Sequence, residues 1–212
     1  MRSRPESVQA AAGRRRREAS AADILAATRR LLERGDAVAQ LTVERILTEA
    51  GVSRATFYAC FSDKHAVVAA LAQESLAWRE EVSGEALADP RMTRETLDAL
   101  MRAIVAHWRA NRAVLAAIIE LAEHDPAMRE AWRGAVGEIA AQTAGHLRTR
   151  WQSSPDAPSN PDAVATALTW MFERCAHQLV VDDDSAETVA LALAEILWRT
   201  VTYRAPRASR SA

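Results

Sequence analysis

The residues best placed for chemistry lie in one short stretch, TVERILTEAGVSRATFYACF, residues 42–61. Arg54 opens a short segment in which a guanidinium can give two parallel hydrogen bonds to a guanine edge. Thr42, Thr56 and Tyr58 carry hydroxyls that can donate to phosphate oxygens. Lys64, the only lysine in the chain, is a compact point charge suited to a phosphate backbone. Thr42 and Ser53 each stand before a helical pattern. Two helix N-termini therefore add backbone N–H groups and partial positive charge, which also suit phosphates. These groups hold a polyanion; none of them breaks a bond.

Bond-breaking constellations are not found elsewhere. The five histidines, His65, His107, His124, His146 and His177, form no HExxH or other metal-ligand spacing. Asp125 after His124 stands before Pro126 and reads as a helix cap. There is no GxSxG elbow, and neither Cys60 nor Cys175 has a neighbouring histidine. No GxGxxG or P-loop is present, so no nucleotide cofactor is expected, and no catalytic or metal residue is assigned. Two distant cysteines without a CxxC argue against a disulfide or zinc framework and for a reducing cytoplasm. No run of about 18 apolar residues exists, so no membrane helix is expected. Arg2, Arg4 and Arg14–Arg17 are followed by no apolar segment, so no secretory signal is expected.

The elements that must position these groups are helices. The chain has 212 residues, 49% of them apolar, with 46 alanines but only seven glycines and seven prolines. That composition favours an all-α fold over sandwiches and barrels. Nine helices and no strand are predicted. Residues 1–18 read as a mobile basic arm, and Ser20 as the N-cap of the first helix, which ends at Gly35. The second helix is capped by Thr42 and closed by Gly51; its apolar residues Val43, Ile46, Leu47 and Ala50 share one face. The third runs from the Ser53 cap to Phe61. A fourth runs from Ser62 or Asp63 to Gly84, with Val67, Leu71, Trp78 and Val82 as its stripe. Thr93, Asp125 and Asn160 open later helices, Ser185 the ninth, and residues 204–212 read as a disordered tail.

A capped helix, a glycine turn and a second capped helix form the layout of a helix-turn-helix, whose second helix enters the DNA major groove. The same layout also occurs in helical proteins that never touch DNA. The spaced pattern over residues 20–71 narrows the choice. It comprises the first helix around Ile24–Leu32, then Thr42-Val43, Ile46, Ala50-Gly51-Val52-Ser53, Thr56-Phe57-Tyr58, Phe61, Lys64 and Leu71. This pattern resembles the DNA-binding region of the TetR (tetracycline repressor) family of transcriptional regulators.

The resemblance implies an N-terminal three-helix helix-turn-helix bundle and a C-terminal helical ligand-binding and dimerisation domain. Here these would be residues 19–64 and 65–203. It implies a homodimer on a palindromic double-stranded operator, usually a repressor released by a small molecule. Arg54 and Ala55 fall where family members contact bases; Thr56, Tyr58 and Lys64 fall where they usually hold phosphates. Cys60 departs from the pattern, since many members place Tyr or His there. It is either an apolar DNA contact or a packing residue. Arg14–Arg17 are either a solvated tail or an arm that reaches DNA.

The C-terminal half must be read from its own residues. Five of the six tryptophans lie beyond residue 100: Trp108, Trp132, Trp151, Trp170 and Trp198. Flat aromatic walls beside a few polar groups suit a pocket for an apolar or aromatic effector, though each could equally be core. Helix eight places Thr169, Phe172, Glu173 and His177 on one stripe. With Trp198-Arg199 it resembles the subgroup that includes the repressor of the ethionamide-activating monooxygenase, in which that face lines the ligand tunnel. The candidate pocket is therefore Trp108, Ile118, Trp132, Thr169, Phe172, Glu173, His177 and Trp198. A purely structural Glu173 pair with Arg174 or His177 stays open. Helices eight and nine carry more apolar residues than one face needs. Leu168, Met171, Leu179, Leu193, Ile196, Leu197 and Val201 are expected at a dimer interface.

Two other functions compete: a constitutive DNA-binding regulator without effector, and an enzyme or carrier with an apolar pocket. Charge separates the halves. Residues 1–64 hold 12 basic and 8 acidic groups, and residues 65–212 hold 15 and 20. The near-neutral total of −1 thus hides a basic head on an acidic body.

Overall fold

In a computed structural model of the chain, residues 8–36, 38–89, 91–152 and 157–202 are described. Among them the regular elements are helical: α1 (Val8–Glu33), a 3-10 turn (Val38–Gln40), α2 (Val43–Ala50), α3 (Arg54–Cys60), α4 (Lys64–Ala88), α5 (Arg94–Ala110), α6 (Arg112–His124), α7 (Pro126–Trp151), α8 (Pro161–Leu179) and α9 (Asp183–Val201). The described residues contain no strand. No helix among them is long and apolar enough to cross a membrane. The expected tail, 204–212, lies outside the described residues.

The chain divides into two compact units. One comprises Met1–Glu74 with Ala113–Ala131, the other Ser75–Arg112 with Trp132–Ala212. In the first, α1 packs on both α2 and α3. Its core is built from Ile24, Leu31 and Leu32 of α1, Leu41, Ile46 of α2 and Phe57 of α3, all buried. In the second, α5 packs on α8 and α9, and α8 on α9. Leu97, Ile104 and Trp108 of α5 join Ala165, Phe172 and Ala176 of α8 and Leu193 and Ala194 of α9 in that core.

Local chemistry explains most of the boundaries. Backbone N–H groups donate to the cap oxygens of Thr42 (from Arg45, 3.2 Å), Ser53 (from Thr56, 3.1 Å) and Asn160 (from Ala163, 3.0 Å). Asp125 Oδ1 accepts from the N–H of Ala127 (2.8 Å) and Met128 (3.3 Å), so it caps α7 as its place before Pro126 suggests. Gly51 closes α2 at φ 65°, a left-handed conformation that costs other residues strain.

Three boundaries differ from expectation, and the simplest is that α4 continues past Gly84 to Ala88. The basic segment is helical back to Val8, so Ser20 lies inside α1 instead of capping it. Alanine, arginine, glutamine and glutamate are all strong helix formers, and between Val8 and Ser20 only Gly13 interrupts them. Residues 1–7 of the expected arm lie outside the described residues. At the other end of the chain Asp182, not Ser185, is the N-cap of α9. The Ser185 N–H donates to Asp182 Oδ1 (2.8 Å) and Ser185 Oγ accepts from the Asp182 N–H (2.9 Å). This reciprocal box satisfies two orphan donors where a Ser185 cap alone would satisfy one.

Candidate functional site

The first unit presents the expected polyanion-binding groups on its surface. Ser53 caps α3 by accepting the Thr56 N–H, and the two hydroxyls of Ser53 and Thr56 lie 2.8 Å apart. Phe57 is wholly buried, which fixes which way the helix faces. Arg54, Ala55 and Tyr58 then point outward; the Tyr58 ring, half exposed, stands edge-on to Phe57 at 5.4 Å and 85°. Thr42 is exposed at the start of α2.

Two of the cations are engaged. The Arg54 guanidinium donates to Glu44 Oε1 of α2, with both side chains largely exposed. The Glu44 carboxyl is held below the usual glutamate range, first by its own backbone N–H and then by Arg54. Lys64 Nζ donates to the Val38 carbonyl at 3.2 Å and is partly buried, so it also ties α4 to the 3-10 turn. Cys60 Sγ donates to the Arg17 carbonyl of α1 at 3.6 Å. In the free chain Cys60 therefore packs on α1. Neither the Glu44 partner nor the Val38 carbonyl was legible from spacing, because each comes from another element.

The second unit contains a narrow, largely apolar cleft with a cavity volume of about 50 Å³. Its walls are Leu87 of α4; Leu100, Met101 and Ile104 of α5; Ile139 and Thr143 of α7; Leu168, Thr169, Met171 and Phe172 of α8; and Leu193 and Leu197 of α9. Of the expected pocket residues only Thr169 and Phe172 line it. Four residues expected at a dimer interface, Leu168, Met171, Leu193 and Leu197, line it as well. No tryptophan does. The Trp108 ring packs edge-on to Phe172 at 6.0 Å, and Trp132 is buried. Trp198 and His177 are half-buried. Ile118 is buried in the first unit.

Glu173 is the unusual group of α8. The residue is 2% exposed, and its Oε2 has no hydrogen-bond donor among the described residues. The Arg174 guanidinium, exposed, lies 3.8 Å from that oxygen. Burial raises the Glu173 carboxyl above its ordinary value, and Arg174 opposes this only in part. The Trp108 indole N–H is likewise buried without an acceptor among the described residues. These two groups, a carboxyl and an indole donor, are buried polar atoms on two of the helices that wall the cleft.

Of the remaining expected interface residues, Leu179 and Ile196 are exposed, at 55% and 42%, while Val201 is buried. Val181 beyond α8 is exposed as well. No group of three His, Cys, Asp or Glu among the described residues is placed to hold a metal.

An all-helical chain whose N-terminal unit presents a capped, glycine-turned helix pair defines a helix-turn-helix protein. Comparison with known proteins agrees. Residues 24–71 match the family described as bacterial regulatory proteins, tetR family. The chain is 30% identical over 192 residues to the HTH-type transcriptional regulator EthR of Mycolicibacterium smegmatis, covering 86% of this chain and 85% of that one. Its fold is similar to Salmonella enterica GusR, with a TM-score of 0.67, 18% identity and coverage of 86% and 95%. It is also similar to the regulatory protein TetR from Rhodobacter sphaeroides, with a TM-score of 0.63, 17% identity and coverage of 83% and 97%. The chain belongs to the TetR family of DNA-binding transcriptional regulators.

Two outcomes follow from this geometry. Glu44→Gln removes a negative charge from the outward face and releases Arg54. Binding to duplex DNA should tighten by up to about fivefold, read by fluorescence anisotropy. Glu173→Gln tests the buried carboxyl. A pKa raised by folding means that the ionised group costs stability, a cost absent below the ordinary glutamate value and growing as pH rises through the folded one. The urea midpoints of wild type and variant should coincide at acid pH, and the variant should be the more stable at neutral pH.

Proposed function

We propose that this chain is a ligand-responsive repressor in the cytoplasm, acting as a homodimer on a palindromic operator. The outward placement of Arg54 and Tyr58 on a helix anchored by buried Phe57 carries this reading. Arg54 and Ala55 meet base edges; Thr42, Ser53, Thr56, Tyr58 and Lys64 meet phosphates. Arg54 leaves Glu44 for a guanine edge. Because the pair is solvent-exposed, the exchange costs little. A dimer sets two reading helices roughly 34 Å apart, one turn of the duplex.

The exposed Leu179, Val181 and Ile196 around α8 and α9 supply an apolar surface for a second protomer. The cleft walled by Thr169 and Phe172 supports a small apolar effector. Because the cleft is narrow, a ligand of drug size must part its walls. That gives the effector the differential affinity for two states that switching requires. A preference near 10⁴-fold, about 5.5 kcal/mol, would flip the population almost completely.

The test is binding to duplexes selected from a random library. Arg54→Ala should cost ~1–3 kcal/mol on the selected site and relax specificity at one base position. Unchanged affinity and specificity would contradict base reading. For the effector, compounds that release wild-type protein from DNA should fail on Thr169→Trp, which fills the cleft, while DNA binding persists. A constitutive regulator would instead bind DNA regardless of any compound. An enzyme or carrier would select no duplex.

A further inference from the structure

The reading surface of α2 and α3 leaves the amino-terminal part of α1 without a role. Four consecutive arginines, Arg14–Arg17, are exposed there. A charged run on a helix is ordinarily a solvated face, and three observations set this one apart.

The first is register. The buried stripe of α1, through Leu31, Thr28 and Ile24, steps back at helical spacing to Ser20 and Ala21 and then to Arg17 and Arg14. The face that seats α1 on its neighbours thus turns from apolar to cationic while the helix continues. The second is position. Cys60 of α3 donates to the Arg17 carbonyl, so the cationic stretch begins beside the last turn of the reading helix. From Arg17 back to Val8 the helix extends roughly 13 Å at the usual rise per residue. The third is charge balance. Arg29, Arg30, Arg34, Arg45 and Arg54 each pair with a carboxylate. Arg14 lies 3.9 Å from Glu18. Among the described residues Arg15, Arg16 and Arg17 form no ion pair. The unneutralised positive charge of this face is concentrated on the extension.

We propose that the amino-terminal extension of α1 is a second DNA-contact element, whose arginines engage the phosphates flanking the segment read by α3. This rests on the DNA-binding reading above. A helix about 10 Å across is too wide for a minor groove of about 6 Å, so the contact is to the backbone and not to the groove floor. Being helical already, the element loses little conformational entropy on binding, unlike a disordered arm. It adds affinity and footprint without adding sequence preference.

The test replaces all four arginines, Arg14→Ala, Arg15→Ala, Arg16→Ala and Arg17→Ala together, since alanine preserves helix propensity. Far-UV circular dichroism confirms the fold. Affinity for a library-selected duplex is measured by fluorescence anisotropy between about 50 and 200 mM salt, with long and with short flanks. For wild type, shortening the flanks should weaken binding and flatten the salt slope. The variant should start from the flatter slope, by about 0.9 for each phosphate it no longer neutralises, and ignore flank length. An unchanged slope in a folded variant, or a wild type indifferent to flanks, overturns the proposal. Should the variant lose helix, the flank dependence of the wild type decides alone. Arg54→Ala runs in parallel. If wild type selects no duplex at all, the DNA-binding reading itself fails. If binding depends on Arg54 but not on the extension or the flanks, only this inference fails.

Discussion

The burial of Phe57 is the interaction on which the reading surface depends. Seven residues are too few to form a stable helix in water, because nucleation costs more than so short a helix recovers. α3 exists because one aromatic ring is wholly withdrawn from solvent where α1 packs on it. That ring sets the rotation of the helix, and the rotation turns Arg54, Ala55 and Tyr58 outward. Gly51 in the left-handed region and the Ser53 cap then place the first turn of α3, where Arg54 stands. Sequence, local structure and presented chemistry are linked through that single contact.

Electrostatics refines the picture. The near-neutral chain concentrates its positive charge in the N-terminal part, yet among the described residues of that part Arg29, Arg30, Arg34, Arg45 and Arg54 are already paired. Arg30 and Arg34 both hold Glu49, whose carboxyl they draw below the usual range. These pairs tie α1 to α2 and neutralise charge internally. Net charge alone therefore misjudges which cations are available to a polyanion. Arg54 shares its charge with an exposed partner, whereas Lys64, partly buried, donates to the Val38 carbonyl.

The fold was legible wherever a signal was local. The caps Thr42, Ser53, Thr93, Asp125 and Asn160 and the glycine closing α2 are set by neighbours four or fewer residues away, and each is found. The start of α1 was misread because Ser20 has the right type for a cap but sits amid helix formers that carry the helix past it. The α9 cap was misread because Asp182 and Ser185 are both able caps, and only the reciprocal box decides between them. The cleft was legible only in part. Periodicity shows which face of α8 is buried, but not which buried residues meet empty space. Thus Thr169 and Phe172 face the cleft, while Trp108, Trp132 and Trp151 are buried without lining it and Trp170 and Trp198 are half-buried. Leu168, Met171, Leu193 and Leu197, expected at a dimer interface, also line its wall. Pairings between elements, such as Arg54 with Glu44, carry no one-dimensional signal at all.

The central claim is that two copies of the α2–α3 pair read one duplex. Hydroxyl-radical footprinting on a library-selected duplex tests it most directly, since it maps protected sugars without assuming a site. The account predicts two protected patches related by a two-fold axis, with centres about one helical turn apart. Uniform cleavage along the duplex, or a single unsymmetrical patch, would contradict it.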